Sequence, residues 1–266
     1  MSILLFPDWL KFNEYKLKEH EKGLYIIPTK NAKEILYSPF DYEDAILFDI
    51  LFLGYNAIKN TASPEDCLTF VNQYGFLGFA QSIIEKEYEN GTSKLYANNH
   101  ITIAKAIDYK EYLDLFQPFD KHPHKKPADA EPMPISMSLQ YNEQTPRYIL
   151  EWPDYAEQVD WILNYAQFLY LHLKSVYHDC AGDYLLGTVK PLISCSDKPM
   201  LSWEYDSLKS AVDIFYVRLL TATNPVIKLC KHCEGLFIPQ NSRTEYCSVS
   251  CRNVSNVTKS RKRKRP

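Results

Sequence analysis

Two close cysteine pairs near the C-terminus constrain this chain more than any other feature. Cys230-Lys231-His232-Cys233 is followed, thirteen residues later, by Cys247-Ser248-Val249-Ser250-Cys251. A tetrahedral zinc ion takes four thiolates at about 2.3 Å, and each pair can supply two corners. Four thiolates close the coordination shell, which favours a structural over a catalytic ion. One structural Zn²⁺ on Cys230, Cys233, Cys247 and Cys251 is therefore expected. His232 lies between two ligands and could replace one, but the cysteines have the better spacing.

The pairs sit in a local pattern of their own. Leu229 to Pro239 reads as a knuckle running into a strand, with Gly235 allowing a tight turn after the second ligand. Phe237 is placed to cover the metal. Gln240–Thr244 is polar and reads as a turn, and Tyr246-Cys247 ends a return strand. A helix then starts at the second pair, because residues four apart lie on one helix face. Knuckle, hairpin and helix together describe a treble-clef-like finger over 226–258.

The charge is unevenly placed. Residues 226–266 carry ten Lys or Arg and two Glu; the other 225 residues carry 20 basic and 31 acidic ones. The chain ends Lys259-Ser260-Arg261-Lys262-Arg263-Lys264-Arg265-Pro266. A basic tail of this kind contacts phosphates by counterion release, or folds back on its own acidic body. Continuing the finger's helix puts Arg252, Lys259 and Arg263 near one face, with Arg261, Lys262, Lys264 and Arg265 around it. Arg252 and Asn253 suit guanine and adenine edges. DNA is the expected partner.

The stretch from Cys230 to Asn253 resembles a known family. Cys-x-x-Cys, Leu236-Phe237, Ser242-Arg243, Tyr246-Cys247-Ser248 and Cys251-Arg252-Asn253 are similar to the CGNR-type zinc finger. That finger closes bacterial proteins described as stress-induced transcriptional regulators. A helix ending near Asn224 matches its placement, and Phe70–Gly75 more loosely resembles a phrase of their N-terminal domain. The family spells Cys-Gly-Asn-Arg where this chain has Cys251-Arg252-Asn253-Val254, and the second pair is one residue closer. The finger also looks like a broader class of Tyr-Cys-Ser-x-x-Cys-Arg-Asn treble clefs ending in basic helices. The resemblance implies a zinc-dependent transcriptional regulator whose body senses a ligand or mediates assembly. A protein-interaction adaptor, with the finger as a structural module, is the competing reading.

Residues 1–225 read as a mainly helical body with a few short strands, an α+β arrangement. Short strands are expected at Gly23–Pro28 and Glu34–Tyr37, and an apolar helix from Asp41 to about Ile58. Ser63-Pro64-Glu65-Asp66 is a helix start: a cap, a proline, then acids at the positive dipole end. Gly75 ends that helix, with Cys67 in its core-facing interior. A second helix is expected over Leu77–Tyr88, extended chain or loop over Leu95–Ile103, and a helical piece over Ile107–Phe116. Pro118–Pro134, with His122, His124, Lys125 and Lys126, reads as an exposed loop. Ile135–Tyr141 and Arg147–Trp152 alternate like a hairpin.

Two longer helices complete the body. The first starts at Pro153-Asp154, with Tyr155, Val159, Ile162, Leu163, Ala166, Leu169, Tyr170, Leu173, Val176 and Tyr177 on one face. The second runs over Ser202–Thr223, with Tyr205, Leu208, Ala211, Val212, Phe215 and Leu219 on one side, and stops at Asn224-Pro225. Seven cysteines, three of them scattered singly, and no leader at Met1–Leu5 fit a reducing cytoplasm. Ala45–Tyr55, the most apolar run, is too short to cross a bilayer, so no membrane segment is expected. No phosphate loop, nucleophile elbow, His-Glu-x-x-His or acid pair supports an enzyme.

Overall fold

A computed structural model describes residues 9–20, 23–87, 93–99, 105–107, 147–148, 156–178, 189–195, 199–205 and 207–263. Among them the architecture is mixed. Five α-helices are accompanied by short antiparallel strands, more of them than the mainly helical reading allowed.

The N-terminal strands are β1 (Trp9–Phe12), β2 (Tyr15–His20), β3 (Gly23–Pro28) and β4 (Glu34–Tyr37). β1 pairs with β4 and β2 with β3, all antiparallel. Helix α1 (Glu43–Ile58) follows a 3-10 turn over Pro39–Tyr42, so Asp41 sits in that turn and does not cap the helix. Ile46, Leu47, Ile50, Leu51, Leu53 and Ala57 of α1 are buried, as a helix apolar on most sides requires.

Helix α2 (Pro64–Tyr74) begins as its sequence dictates. The Ser63 Oγ accepts the Asp66 N–H at 3.3 Å, and the Asp66 carboxylate accepts the Ser63 N–H at 2.8 Å. It ends at Gly75, whose φ of +85° suits glycine, and where a Cβ would meet the Lys11 Cβ at 2.7 Å. Cys67 is fully buried.

Where a helix is expected over Leu77–Tyr88, residues Ala80–Glu87 form a strand. β5 (Ala80–Glu87) pairs with β6 (Ser93–Asn99), which pairs with β7 (Lys105–Ile107). Asn90-Gly91 falls between two antiparallel strands in sequence, where such a pair is a hairpin signal. Arg147–Tyr148 forms β8 and pairs with Ile84 and Ile83 of β5. Ile107 ends β7, and the rest of the helix expected over 107–116 lies outside the described residues. So do the 118–134 loop and the first half of the expected hairpin.

The long helix starts later than expected. β9 (Glu157–Gln158) pairs with β3, and α3 runs from Val159 to Tyr177. The Glu157 side chain explains the delay. It is buried, and it accepts backbone N–H groups of Leu77 at 2.9 Å, Gly78 at 2.5 Å and Phe79 at 3.3 Å. This ties the chain down in extended form before the helix can begin. Val159, Ile162, Ala166, Leu169, Tyr170 and Leu173 then form the buried face, joined by Tyr165; Tyr177 is exposed. Tyr155 lies outside the described residues.

The helix expected over Ser202–Thr223 is divided. β10 (Val189–Cys195) pairs with β11 (Pro199–Tyr205), so Tyr205 ends a strand. Helix α4 (Leu208–Thr221) starts where the Ser207 Oγ accepts the Ser210 N–H at 3.0 Å, a side-chain cap. Within α4, Lys209 and Asp213 form a buried ion pair at 2.6 Å, and the Tyr165 hydroxyl donates to Asp213 at 2.7 Å.

One packed core joins β1, β2, β3, helices α1 to α4 and Tyr205 at the end of β11. Its centre is the α1–α3 pair. A Cβ on Gly54 would lie 2.0 Å from the Ala166 carbonyl oxygen, so the two backbones approach as closely as glycine allows. The same core reaches Ile227 and Leu229, and thereby holds the entrance to the cysteine cluster.

Candidate metal centre

The first cysteine pair grows out of the body. β12 (Lys228–Leu229) pairs with β13 (Leu236–Phe237), and the knuckle between them carries Cys230 and Cys233. The Cys230 N–H donates to the Gly235 carbonyl at 2.9 Å, and the Glu234 N–H to the Cys230 carbonyl at 2.9 Å. Glu234 takes the left-handed turn, with φ +59°. Gly235 serves another purpose than the turn expected of it: a Cβ there would stand 3.3 Å from the Cys233 Sγ.

The expected return strand at Tyr246-Cys247 is absent. Leu236–Phe237 pairs backwards with Lys228–Leu229, and the Lys231 N–H donates to the Glu245 carbonyl at 3.0 Å. Helix α5 (Val249–Arg263) then begins. Ser248 caps it by accepting the Cys251 N–H at 3.1 Å. That cap sets Cys251 in the first turn, with its sulfur 3.5 Å from that of Cys247.

The four sulfurs converge. Cys233 and Cys247 are 3.7 Å apart, and all four ligand atoms lie within 4.8 Å of one another. A tetrahedron with metal–sulfur bonds of about 2.3 Å has sulfur–sulfur edges of about 3.8 Å. The set therefore fits a four-coordinate thiolate centre and can hold a metal ion. His232 is exposed and stands outside the set.

The thiols show what such crowding costs without a cation. Burial pushes Cys230 upward, but backbone N–H groups of Cys233, Cys247 and His232 outweigh it and lower the group to about 6. Burial and the neighbouring sulfurs push Cys247 up to about 12. Burial also raises Cys233. Cys230 forms its thiolate readily while Cys233 and Cys247 resist, as expected of like charges sharing one site. A dication removes that conflict. Cys67, far from the cluster, is pushed up to about 12 by burial and is an inert core thiol.

The knuckle is locked to the body. Helix α3 grips Glu234 three times: the Tyr170 hydroxyl donates to its carbonyl at 3.1 Å, Lys174 pairs with its carboxylate at 2.7 Å, and His178 reaches it at 3.2 Å. Tyr55 of α1 lies beside Gly235. The cluster is thus graded, from Cys230, which is buried, to Cys247, which is exposed.

Helix α5 leaves the body. Cys251 and Ser255 are its covered positions; its other described side chains are exposed, including Arg252, Asn253, Lys259 and Arg261. The Ser255 hydroxyl meets the Tyr246 hydroxyl at 3.2 Å, and Lys259 donates to the latter at 3.4 Å. Those two contacts hold the Tyr246 hydroxyl below its ordinary value. The backbone stays helical through Lys262 and Arg263, whereas Lys264 and Arg265 lie outside the described residues. A cleft of about 610 Å³ runs between the loop and the helix start, bordered by Ile238, Arg243, Tyr246 and Arg252.

The cysteine spacing announces the candidate cluster but not what holds it. Tyr170, Lys174 and His178 come from a helix more than fifty residues upstream, and no local pattern announces them. Among the described residues no helix is long and apolar enough to cross a membrane. Comparison with protein-family models, curated proteins and solved structures returns no match for this chain.

Proposed function

We propose that this chain is a zinc-dependent DNA-binding protein acting as a transcriptional regulator. One observation carries the reading: four converging cysteines, a set that could close around one metal ion, anchor the first turn of a projecting basic helix. Such a cluster leaves the metal no open position for substrate, so its role is structural. The metal orients a helix rich in Lys and Arg, and phosphate neutralisation supplies the affinity. The resemblance to the CGNR-type finger points the same way. The acidic body, held rigidly to the knuckle, is the part that senses a ligand or mediates assembly.

The test has two arms. Metal analysis of protein expressed in zinc-replete medium should find one zinc per chain; none would overturn the metal assignment. A mobility-shift assay at two salt concentrations should show DNA binding that weakens steeply with salt. Retention of a protein partner with no DNA binding would instead support an adaptor. The locked knuckle gives that second reading its footing, since a finger fused to a core is also a structural cap.

A further inference from the structure

The two covered positions of α5 define its orientation. Cys251 points into the metal cluster and Ser255 meets Tyr246, so the side holding both faces the finger. At about 100° per residue, Asn253 and Ser260 fall within about 20° of the opposite direction. Asn256 and Val257 flank them on the outward face. Arg252 and Lys259 form a row to one side of that face, about 100° away or slightly more. Arg261 lies to the other side. Arg252 and Asn253, neighbours in the chain, thus belong to different faces.

A helix about 10–12 Å across enters a major groove about 12 Å wide with its outward face to the bases and its flanks to the two backbones. Asparagine matches the adenine edge by two hydrogen bonds, and an apolar side chain contacts the thymine methyl. The arginines and Lys259 lie on the flanks, where phosphates would stand; among the described residues the outward face carries no Arg or Lys, the side chains that pair bidentately with guanine. Asn253, Asn256, Val257, Ser260 and Arg261 are all exposed, so no described residue of the body covers this face.

We infer that α5 reads A·T-rich duplex DNA in the major groove, through Asn253 and Asn256, between flanking phosphate contacts from Arg252, Lys259 and Arg261. This rests on the DNA-binding reading above and adds its sequence preference. The test uses zinc-loaded full-length protein and labelled A·T-rich and G·C-rich duplexes, titrated by fluorescence anisotropy at several salt concentrations. The native chain should prefer the A·T-rich duplex by roughly tenfold, the scale of a bidentate base contact. Replacing Asn253→Ala and Asn256→Ala together should bring the ratio towards one and leave the salt slope unchanged. Replacing Arg252→Ala and Lys259→Ala together should weaken both duplexes alike and reduce the slope by about 2. Equal binding of both duplexes by the native chain, or a preference that survives loss of both asparagines, would overturn the base-face assignment while DNA binding stands. No salt-dependent binding to either duplex would overturn the DNA-binding reading and this one with it.

Discussion

Lys174 on helix α3 pairs at 2.7 Å with Glu234, the residue that follows the second cysteine ligand in a left-handed conformation. A non-glycine residue in that conformation costs about 1 kcal/mol. The Lys174 contact, with those from Tyr170 and His178, holds it in place. The geometry of the cysteine cluster therefore depends on residues outside the finger.

The pair gives a pH signature. Its hydrogen bond to Lys174 holds the Glu234 carboxyl below its ordinary value of 4.5. A depressed folded-state value stabilises the fold above the unfolded value, and the contribution is lost as pH falls through the folded one. Both side chains are about a third exposed, so the contribution is at most about 1 kcal/mol. Urea unfolding of the native chain and Glu234→Gln should differ by a constant amount above about pH 4.5. The difference should shrink to nothing at lower pH. A gap unchanged in acid would show that the ion pair contributes nothing.

Chelation should separate the two halves of the finger. Ile227, Leu229 and Cys230 are buried in the body, whereas among the described side chains of α5 only Cys251 and Ser255 are covered. A fifteen-residue helix with so little packing is marginal by itself. Metal removal, or Cys247→Ser, should abolish hydrogen-exchange protection over 249–263 and retain it at 228–230. Simultaneous loss in both segments would mean that the knuckle too depends on the ion.

Deleting residues 259–266 should weaken binding to DNA at low salt without changing metal content. The segment carries six basic side chains, and each phosphate contact contributes about −0.9 to the slope of log affinity against log salt. The slope should therefore fall in magnitude by several. Unchanged retention on heparin or DNA would remove the tail from the interface.

Glu157 should be the costliest single polar residue of the body. Its carboxylate accepts three backbone N–H groups while fully buried. Glu157→Ala leaves those donors without that acceptor, each at about 1–3 kcal/mol. Denaturant unfolding should register a loss of at least about 3 kcal/mol. A loss under about 1 kcal/mol would show that water replaces the carboxylate.

Local chemistry accounts for what the sequence determined by itself. Ser63 and Pro64 start α2 and Gly75 ends it, because a cap and a positive φ are properties of a few adjacent residues. The cysteine spacing announced the cluster for the same reason: each pair's reach is a local matter. Tertiary structure alone decided the rest. Ala80–Glu87 became strand β5 because paired neighbours outweigh an ambiguous apolar pattern. α3 began at Val159 because Glu157 was already bound to Leu77, Gly78 and Phe79, about eighty residues earlier in the chain. Glu234 could take its left-handed turn because Tyr170, Lys174 and His178 were brought to it. Which side of the basic helix faces outward was settled by Cys251 and Ser255 turning inward. None of these long-range pairings leaves a mark in a local window, since each exists only once the chain has folded.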